Sequence, residues 1–172
     1  GWHDPDLSAD NYMTVTCCGY RVADNAIAAA VTAQPVAETG IKARHTRFSF
    51  HPENGALMLM AQAGPLPFQF VDVSDPDALM DSHFSWITIG DLDYLTTPGE
   101  SFPTFAKRAA DRIVAAGGQH PIVLGVAQDW MGYLLTVEQW LDDDLGYNQG
   151  LSPGTQVEPK FMEKLDELIK AE

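Results

Sequence analysis

Apolar residues recur along this chain with two different periods, one typical of strands and one typical of helices. In the segment Ile41 to His51 they alternate, with Phe48 and Phe50 two positions apart, which indicates a strand. Beyond residue 100 they recur every three or four positions, which predicts one apolar stripe on a helix; the stripe comprises Phe102, Phe105, Ala109, Ile113 and Ala116. Strands that alternate with helices predict an α/β fold, a mixed sheet with helices packed on it.

The best-defined unit of the pattern is a strand, a helix and a second strand. The first strand, Leu92 to Thr97, leads into that striped helix, which Gly117 and Gly118 are expected to end. The apolar run Pro121 to Ala127 then predicts a buried strand. This order predicts a crossover connection between two parallel strands.

The rest of the chain gives weaker signals of the same two kinds. A capping box, Thr136 with Gln139, predicts the start of a short helix that ends near Asp142 to Asp144. The other expected elements are a helix from Val22 to Gln34 closed by Pro35, a short helix within Pro52 to Gly64, an extended loop from Gly64 to Asp81, one or two strands from Trp86 to Thr96, and a last helix from Val157 to Ala171.

The only two cysteines, Cys17 and Cys18, are adjacent. Neighbouring thiols cannot form a relaxed disulfide with each other, and the spacing of a redox pair is missing, so a thiol-based redox function is disfavoured. We expect two small buried residues in a strand from Met13 to Cys18. A bridge from one of them to another chain is the alternative.

Composition narrows the function by exclusion. The 172 residues carry 10 basic and 24 acidic side chains, a net charge of −14, which disfavours binding to nucleic acids and to anionic membranes. No apolar run is long enough for a transmembrane segment. The sequence starts at Gly1 without an initiator Met or a signal peptide, so we expect either a single domain over 1–172 or the C-terminal chain or fragment of a larger catalytic domain.

Two residues of the crossover unit are candidates for chemistry. Glu100 lies between the first strand and the helix, and Tyr133 follows the second strand. Ligands of open α/β sheets bind at the carboxyl ends of the strands, so both residues are expected at one edge. Each also has a purely structural interpretation, since a Glu near a helix N-terminus offsets the helix dipole and a Tyr in an apolar strand is commonly part of the core.

An ordered set of motifs over roughly Ile41 to Ile169 resembles the neutral/alkaline ceramidase family. The motifs that carry the resemblance are Thr97-Pro98-Gly99-Glu100 with its following helix, Val126 to Tyr133, Thr136 to Trp140, Tyr147, and Ser152-Pro153-Gly154-Thr155 with a terminal helix. Their order and spacing are similar to the C-terminal part of that family's catalytic domain. The chain departs from the family pattern at Gln128, where the family has Asn, at Trp130, where it has Tyr, and at Asn148, where it has Glu.

The resemblance implies a zinc-dependent hydrolase that cleaves an amide bond, with Glu100 and Tyr133 as zinc ligands and Tyr133 as a catalytic residue. Zinc accepts such ligands, activates a water molecule and polarises a carbonyl. The apolar residues Trp130, Met131, Trp140 and Tyr147 could line a substrate channel, although core packing explains them equally well.

In the family the zinc-binding His residues come from the N-terminal half of the catalytic domain. The five His of this chain match none of those motifs; they are His3, His45, His51, His83 and His120. The resemblance therefore implies a partner, an N-terminal chain of the same precursor that carries the remaining ligands, and an N-acyl or lipid-like amide as substrate. It also implies a secreted or periplasmic location. The alternative is a non-catalytic module that stabilises or regulates a larger protein.

Overall fold

The computed structural model describes residues 12–35, 40–64 and 79–171, and the chain divides into two units. The first unit is Gly1–Ala37 and the second is Glu38–Glu172.

In the described part of the first unit the chain forms helix α1, from Tyr12 to Thr32. None of its residues is buried. The predicted strand from Met13 to Cys18 is therefore wrong, because the helix predicted from Val22 begins ten residues earlier. Strand preference depends on packing against neighbouring strands, whereas the Ala-rich run that follows favours a helix by itself. Cys17 is half-buried, Cys18 is exposed, and both are free thiols.

The second unit contains the sheet and the remaining helices. Its strands are β1 (Ile41–Phe50), β2 (Met80–Ile89), β3 (Leu92–Thr96), β4 (Glu100–Ser101), β5 (His120–Leu124) and β6 (Tyr133–Leu134). Its helices are α2 (Gly55–Gln62), α3 (Pro103–Ala115), α4 (Val137–Trp140), α5 (Gly146–Gly150) and α6 (Val157–Lys170), with a 3-10 turn at Asp143–Leu145. The expected loop from Gly64 to Asp81 lies largely outside the described residues, and its last two positions belong to β2.

The main sheet has the strand order β1-β2-β3-β5. The first three strands are antiparallel neighbours, and β3 pairs with β5 in parallel. Strands β2 and β3 are joined by a two-residue turn whose first residue, Gly90, has φ of +62°, a conformation that suits glycine. The predicted α/β class, a mixed sheet with helices packed on it, is confirmed, and so is the parallel crossover through α3.

The core lies between one face of this sheet and the two long helices α3 and α6. Helix α6 packs against β1, α3 packs against β5, and the two helices touch each other. Aromatic rings fill the space between them, with Phe84 and Phe161 at a centroid distance of 4.1 Å and Phe105 5.2 Å from Phe161. Burying each such side chain stabilises the fold by about 1.5–3 kcal/mol.

Strand β5 is less buried than its apolar sequence predicts. It lies at the edge of the described sheet, and its alternate side chains Ile122 and Leu124 are 39% and 40% exposed. An edge strand with one free side leaves part of its surface open, which periodicity alone does not distinguish from a central strand.

Helices α4 and α6 start where the sequence predicts, whereas α5 was not predicted. Thr136 and Gln139 form the reciprocal capping box at the start of α4. The buried carboxylate of Glu158 in α6 accepts hydrogen bonds from Arg108 Nη1 (2.6 Å) and from the backbone N–H of Val137 (2.9 Å). Because these donors belong to α3 and α4, one side chain holds three helices together.

Candidate active-site edge

Glu100 and Tyr133 lie directly opposite each other in a two-stranded parallel pair formed by β4 and β6. The backbone N–H of Glu100 donates to the carbonyl of Gly132 (2.8 Å), and that of Phe102 donates to Leu134 (3.1 Å). This confirms the predicted position of the two residues: the crossover unit brings them to one edge.

Backbone hydrogen bonds fix the turn before Glu100 against the loop before Tyr133. Val126 N–H donates to the carbonyl of Gly99 (2.9 Å), and Met131 N–H donates to that of Pro98 (2.9 Å). Thr97 takes part twice, donating its N–H to Leu124 (2.8 Å) and accepting from the N–H of Ala127 (3.1 Å). These bonds hold the two segments in one register before any side chain contributes.

Two glycines allow the backbone segments to approach this closely. Gly132 has φ of +85°, and a Cβ atom there would collide with the carbonyl group of Leu151. A Cβ atom at Gly99 would collide with the carbonyl oxygen of Gly132. The N–H of Tyr133 also donates to the carbonyl of Leu151 (3.0 Å). The segment around Leu151 is therefore a third backbone segment that packs against β4 and β6.

Asn54 ties this third segment to the start of α2. Its side-chain amide donates to the carbonyls of Gly150 (2.9 Å) and Ser152 (3.0 Å), while its Oδ1 accepts from the N–H of Leu57 (3.2 Å). Beside it, the Glu53 carboxylate accepts from the backbone and hydroxyl of Thr155. The sequence analysis gave Asn54 no function, because its partners lie almost a hundred positions away.

The environment of Tyr133 keeps its phenol protonated. Burial raises its pKa above the ordinary value of 10, and the negative charge of Glu100 raises it further. Tyr147 adds to the shift through its own charge and a hydrogen bond. The ring of Tyr133 contacts Phe102 and Tyr147 at centroid distances of 5.8 and 6.2 Å.

The loop before Tyr133 contains two non-glycine residues with positive φ, Val126 at +52° and Gln128 at +75°. A β-branched residue in this region is an outlier, and such conformations cost about 1–3 kcal/mol each. The side chain of Gln128 is anchored, accepting from Thr96 Oγ1 (2.8 Å) and donating to Ser85 Oγ (3.0 Å). Asn adopts positive φ more easily than Gln, which gives a physical reason for the Asn that the resembled family has at this position.

The four residues considered for a substrate channel differ in how deeply they are buried. Met131 is 1% exposed and belongs to the core, whereas Tyr147 is 72% exposed beside Tyr133. Trp130 is 37% exposed, and Trp140 is half-buried with its backbone carbonyl accepting from Gln149.

Metal-binding potential is limited within the described residues. No group of three or more His, Cys, Asp or Glu side chains lies close enough to hold an ion there. Glu100 and Tyr133 would supply two ligands, and a four-coordinate zinc site needs more. Two of the histidines, His45 and His83, do lie together on the sheet, with ring centroids 5.3 Å apart.

No helix in the described ranges combines the length and the apolarity needed to span a membrane.

Solved structures that are similar to this chain include two ceramidases. One is a neutral ceramidase from Pseudomonas aeruginosa, with 23% identity and a TM-score of 0.42 over 54% of this chain and 16% of that chain. The other is a ceramidase complexed with C2, with 20% identity and a TM-score of 0.45 over 53% of this chain and 15% of that chain. No family model and no curated protein matches the sequence. The matched part of this chain thus spans about a sixth of the length of each of these ceramidases.

Proposed function

We propose that this chain is the C-terminal part of a zinc-dependent hydrolase that cleaves the amide bond of an N-acyl or lipid-like substrate. Glu100 and Tyr133 supply two zinc ligands, and an N-terminal chain of the same precursor supplies the others. The observation that carries the proposal is the direct pairing of Glu100 with Tyr133 in β4 and β6.

The two side chains fit a divalent cation by their chemistry. Among the described residues the Glu100 carboxylate makes no hydrogen bond and no ion pair, and it is exposed. Its negative charge opposes ionisation of the neighbouring Tyr133. A cation held by both groups would offset that repulsion by neutralising the carboxylate, with Tyr133 as a neutral phenol ligand.

The local geometry excludes one structural function of Glu100, that of a helix cap. Helix α3 begins at Pro103, after Phe102 as the N-cap, and has no side-chain cap. Glu100 therefore does not cap the helix, and an interaction with the helix dipole is the structural function that remains for it.

Each residue has a defined task in the proposed reaction. The zinc, when bound, would activate water and polarise the scissile carbonyl. The carboxylate of Glu100 supplies negative charge for binding the ion, and Tyr133 Oη holds a proton at neutral pH. That O–H can donate a hydrogen bond to an oxygen on which negative charge develops, which is how preorganised donors accelerate acyl transfer.

The surroundings of Tyr133 favour an apolar substrate. The rings of Phe102 and Tyr147 flank it, and Tyr147 is largely exposed. Exposed aromatic surface beside a few polar groups is typical of sites for apolar ligands. The net charge of −14 disfavours a strongly anionic substrate.

The proposal is tested by kinetics of the natively purified protein, together with any chain that accompanies it, on a fluorogenic N-acyl amide. Glu100→Gln and Tyr133→Phe should each reduce kcat/KM by about a hundredfold or more, as loss of a ligand or of a charge-stabilising donor does. Glu163→Gln, an exposed glutamate on α6, is the matched control and should keep full activity. Full activity in both site variants would instead favour the non-catalytic module.

A further inference from the structure

We propose that His45 and His83 form a binding site for a divalent transition-metal ion such as Zn²⁺, Ni²⁺ or Cu²⁺. Neither residue belongs to the Glu100–Tyr133 pair, and the inference does not depend on the proposed hydrolase function.

The sheet places the two imidazoles together on one face. In the antiparallel register of β1 and β2, His45 lies opposite Ser85 and His83 lies opposite Arg47. The two histidines are thus diagonal neighbours on rigid strands, and side chains at such positions reach one another. Ligands fixed on strands lose little conformational freedom when they bind an ion.

The distance between the rings suits a shared ion. Their centroids are 5.3 Å apart. Zinc–nitrogen bonds are about 2.0–2.1 Å long, so two imidazoles on one tetrahedral ion have ring centres roughly 5 Å apart. The observed separation needs little adjustment to reach that value.

Hydrogen bonding also leaves ligand nitrogens available. His45 Nδ1 lies 3.2 Å from Ser85 Oγ, and Ser85 is held in turn by Gln128 Nε2 at 3.0 Å. This contact fixes the ring and leaves Nε2 as the metal-binding nitrogen, in the way that outer partners orient metal-bound histidines. Within the part of the chain that the structure describes, His83 makes no hydrogen bond, so both of its nitrogens can bind an ion.

The nearby charges partly cancel. Arg47, opposite His83, would repel a cation, but its Nε lies 3.7 Å from Asp81, two positions from His83 on β2. Since the pair supplies two ligands, the remaining positions of the ion stay open to water. Imidazole ligands suit zinc, nickel and copper, and among these copper should bind most tightly.

The test is isothermal titration of the chain with ZnCl₂ and, separately, CuSO₄, comparing His45→Gln, His83→Gln and His120→Gln. His120, exposed on β5, is the matched control for loss of an imidazole. Either of the first two variants should weaken binding by about tenfold or more, Ser85→Ala by a smaller factor, and His120→Gln should leave it unchanged. Circular dichroism of each variant confirms that the fold is retained.

A second readout identifies the ligands directly. Electron paramagnetic resonance of the copper-loaded chain should show coupling to two imidazole nitrogens, reduced to one in His83→Gln. An unchanged affinity in both His45→Gln and His83→Gln, or an equal loss of affinity in His120→Gln, would overturn the proposal. Glu100→Gln should leave this site intact, so failure here is distinguishable from failure of the proposed hydrolase.

Discussion

The side-chain amide of Asn54 donates a hydrogen bond to the carbonyl of Gly150, which lies 96 positions further along the chain. The same side chain caps α2 and contacts Ser152, so it joins the helix start to the segment beneath the Glu100–Tyr133 pair. Loss of this residue should therefore affect both the fold and the site.

Asn54→Ala should lower the free energy of unfolding by about 1–3 kcal/mol, because it removes a helix cap and the donor to the carbonyls of Gly150 and Ser152. Denaturant unfolding followed by circular dichroism measures the change. Asn54→Asp separates the two effects, since a carboxylate caps the helix but cannot donate to the carbonyls. An Asp variant as stable as the original protein would show that the contacts to Gly150 and Ser152 contribute nothing.

Gly132→Ala should destabilise the protein by about 3 kcal/mol or more, because the added methyl group meets the carbonyl of Leu151 at a positive φ. Gly146→Ala is the control, since a Cβ atom in that helix start meets no other atom within 4 Å. The control should be neutral or stabilising by up to about 1 kcal/mol. Equal melting temperatures for the two variants would contradict the close packing described at Gly132.

Val126→Asn should raise the free energy of unfolding by about 1 kcal/mol, because Asn accepts the φ of +52° at lower cost and the Val side chain is half exposed. Thermal unfolding by calorimetry measures the gain. A clear loss of stability would mean that the Val side chain makes packing contacts that outweigh the backbone strain.

The pKa of Tyr133 should fall towards its ordinary value of 10 in Glu100→Gln, since the neighbouring negative charge is removed. Because the pKa is raised in the folded state, its contribution to stability is complete below pH 10 and is lost as the pH rises through the folded value. The pKa is measured by NMR of ¹³C-labelled tyrosine, with Tyr133→Phe to assign the signal. An unchanged Tyr133 signal in Glu100→Gln would mean that the two groups do not interact.

The sequence predicted those parts of the fold and of the candidate site that depend on contacts between residues close together in the chain. Three features were predictable, because spacing along the chain and the geometry of a parallel crossover determine them: the capping box at Thr136, the buried face of α3, and the pairing of Glu100 with Tyr133. The predicted stripe of α3 was too long at both ends, since Phe102 is the N-cap and Ala116 is exposed. The hydrogen bonds of Asn54 were not predictable, because their acceptors are carbonyls almost a hundred positions away in the chain.

The histidine pair escaped prediction for a related reason. His45 and His83 become neighbours through the register of β1 and β2, and a shift of one residue would place one of them on the other face. The wrong strand prediction at the start of α1 had a different cause. It relied on the local strand preference of Met13 to Cys18, although no partner strand among the described residues supports a strand there.

The central claim is that Glu100 and Tyr133 hold a zinc ion together with ligands from another chain. Native mass spectrometry of the gently purified protein tests it most directly, in a His45→Gln and His83→Gln background that removes the second proposed metal site. The account predicts a complex of this chain with a larger one and a single zinc, which is lost in both Glu100→Gln and Tyr133→Phe. A bare chain without metal, or a zinc retained by both variants, would contradict it.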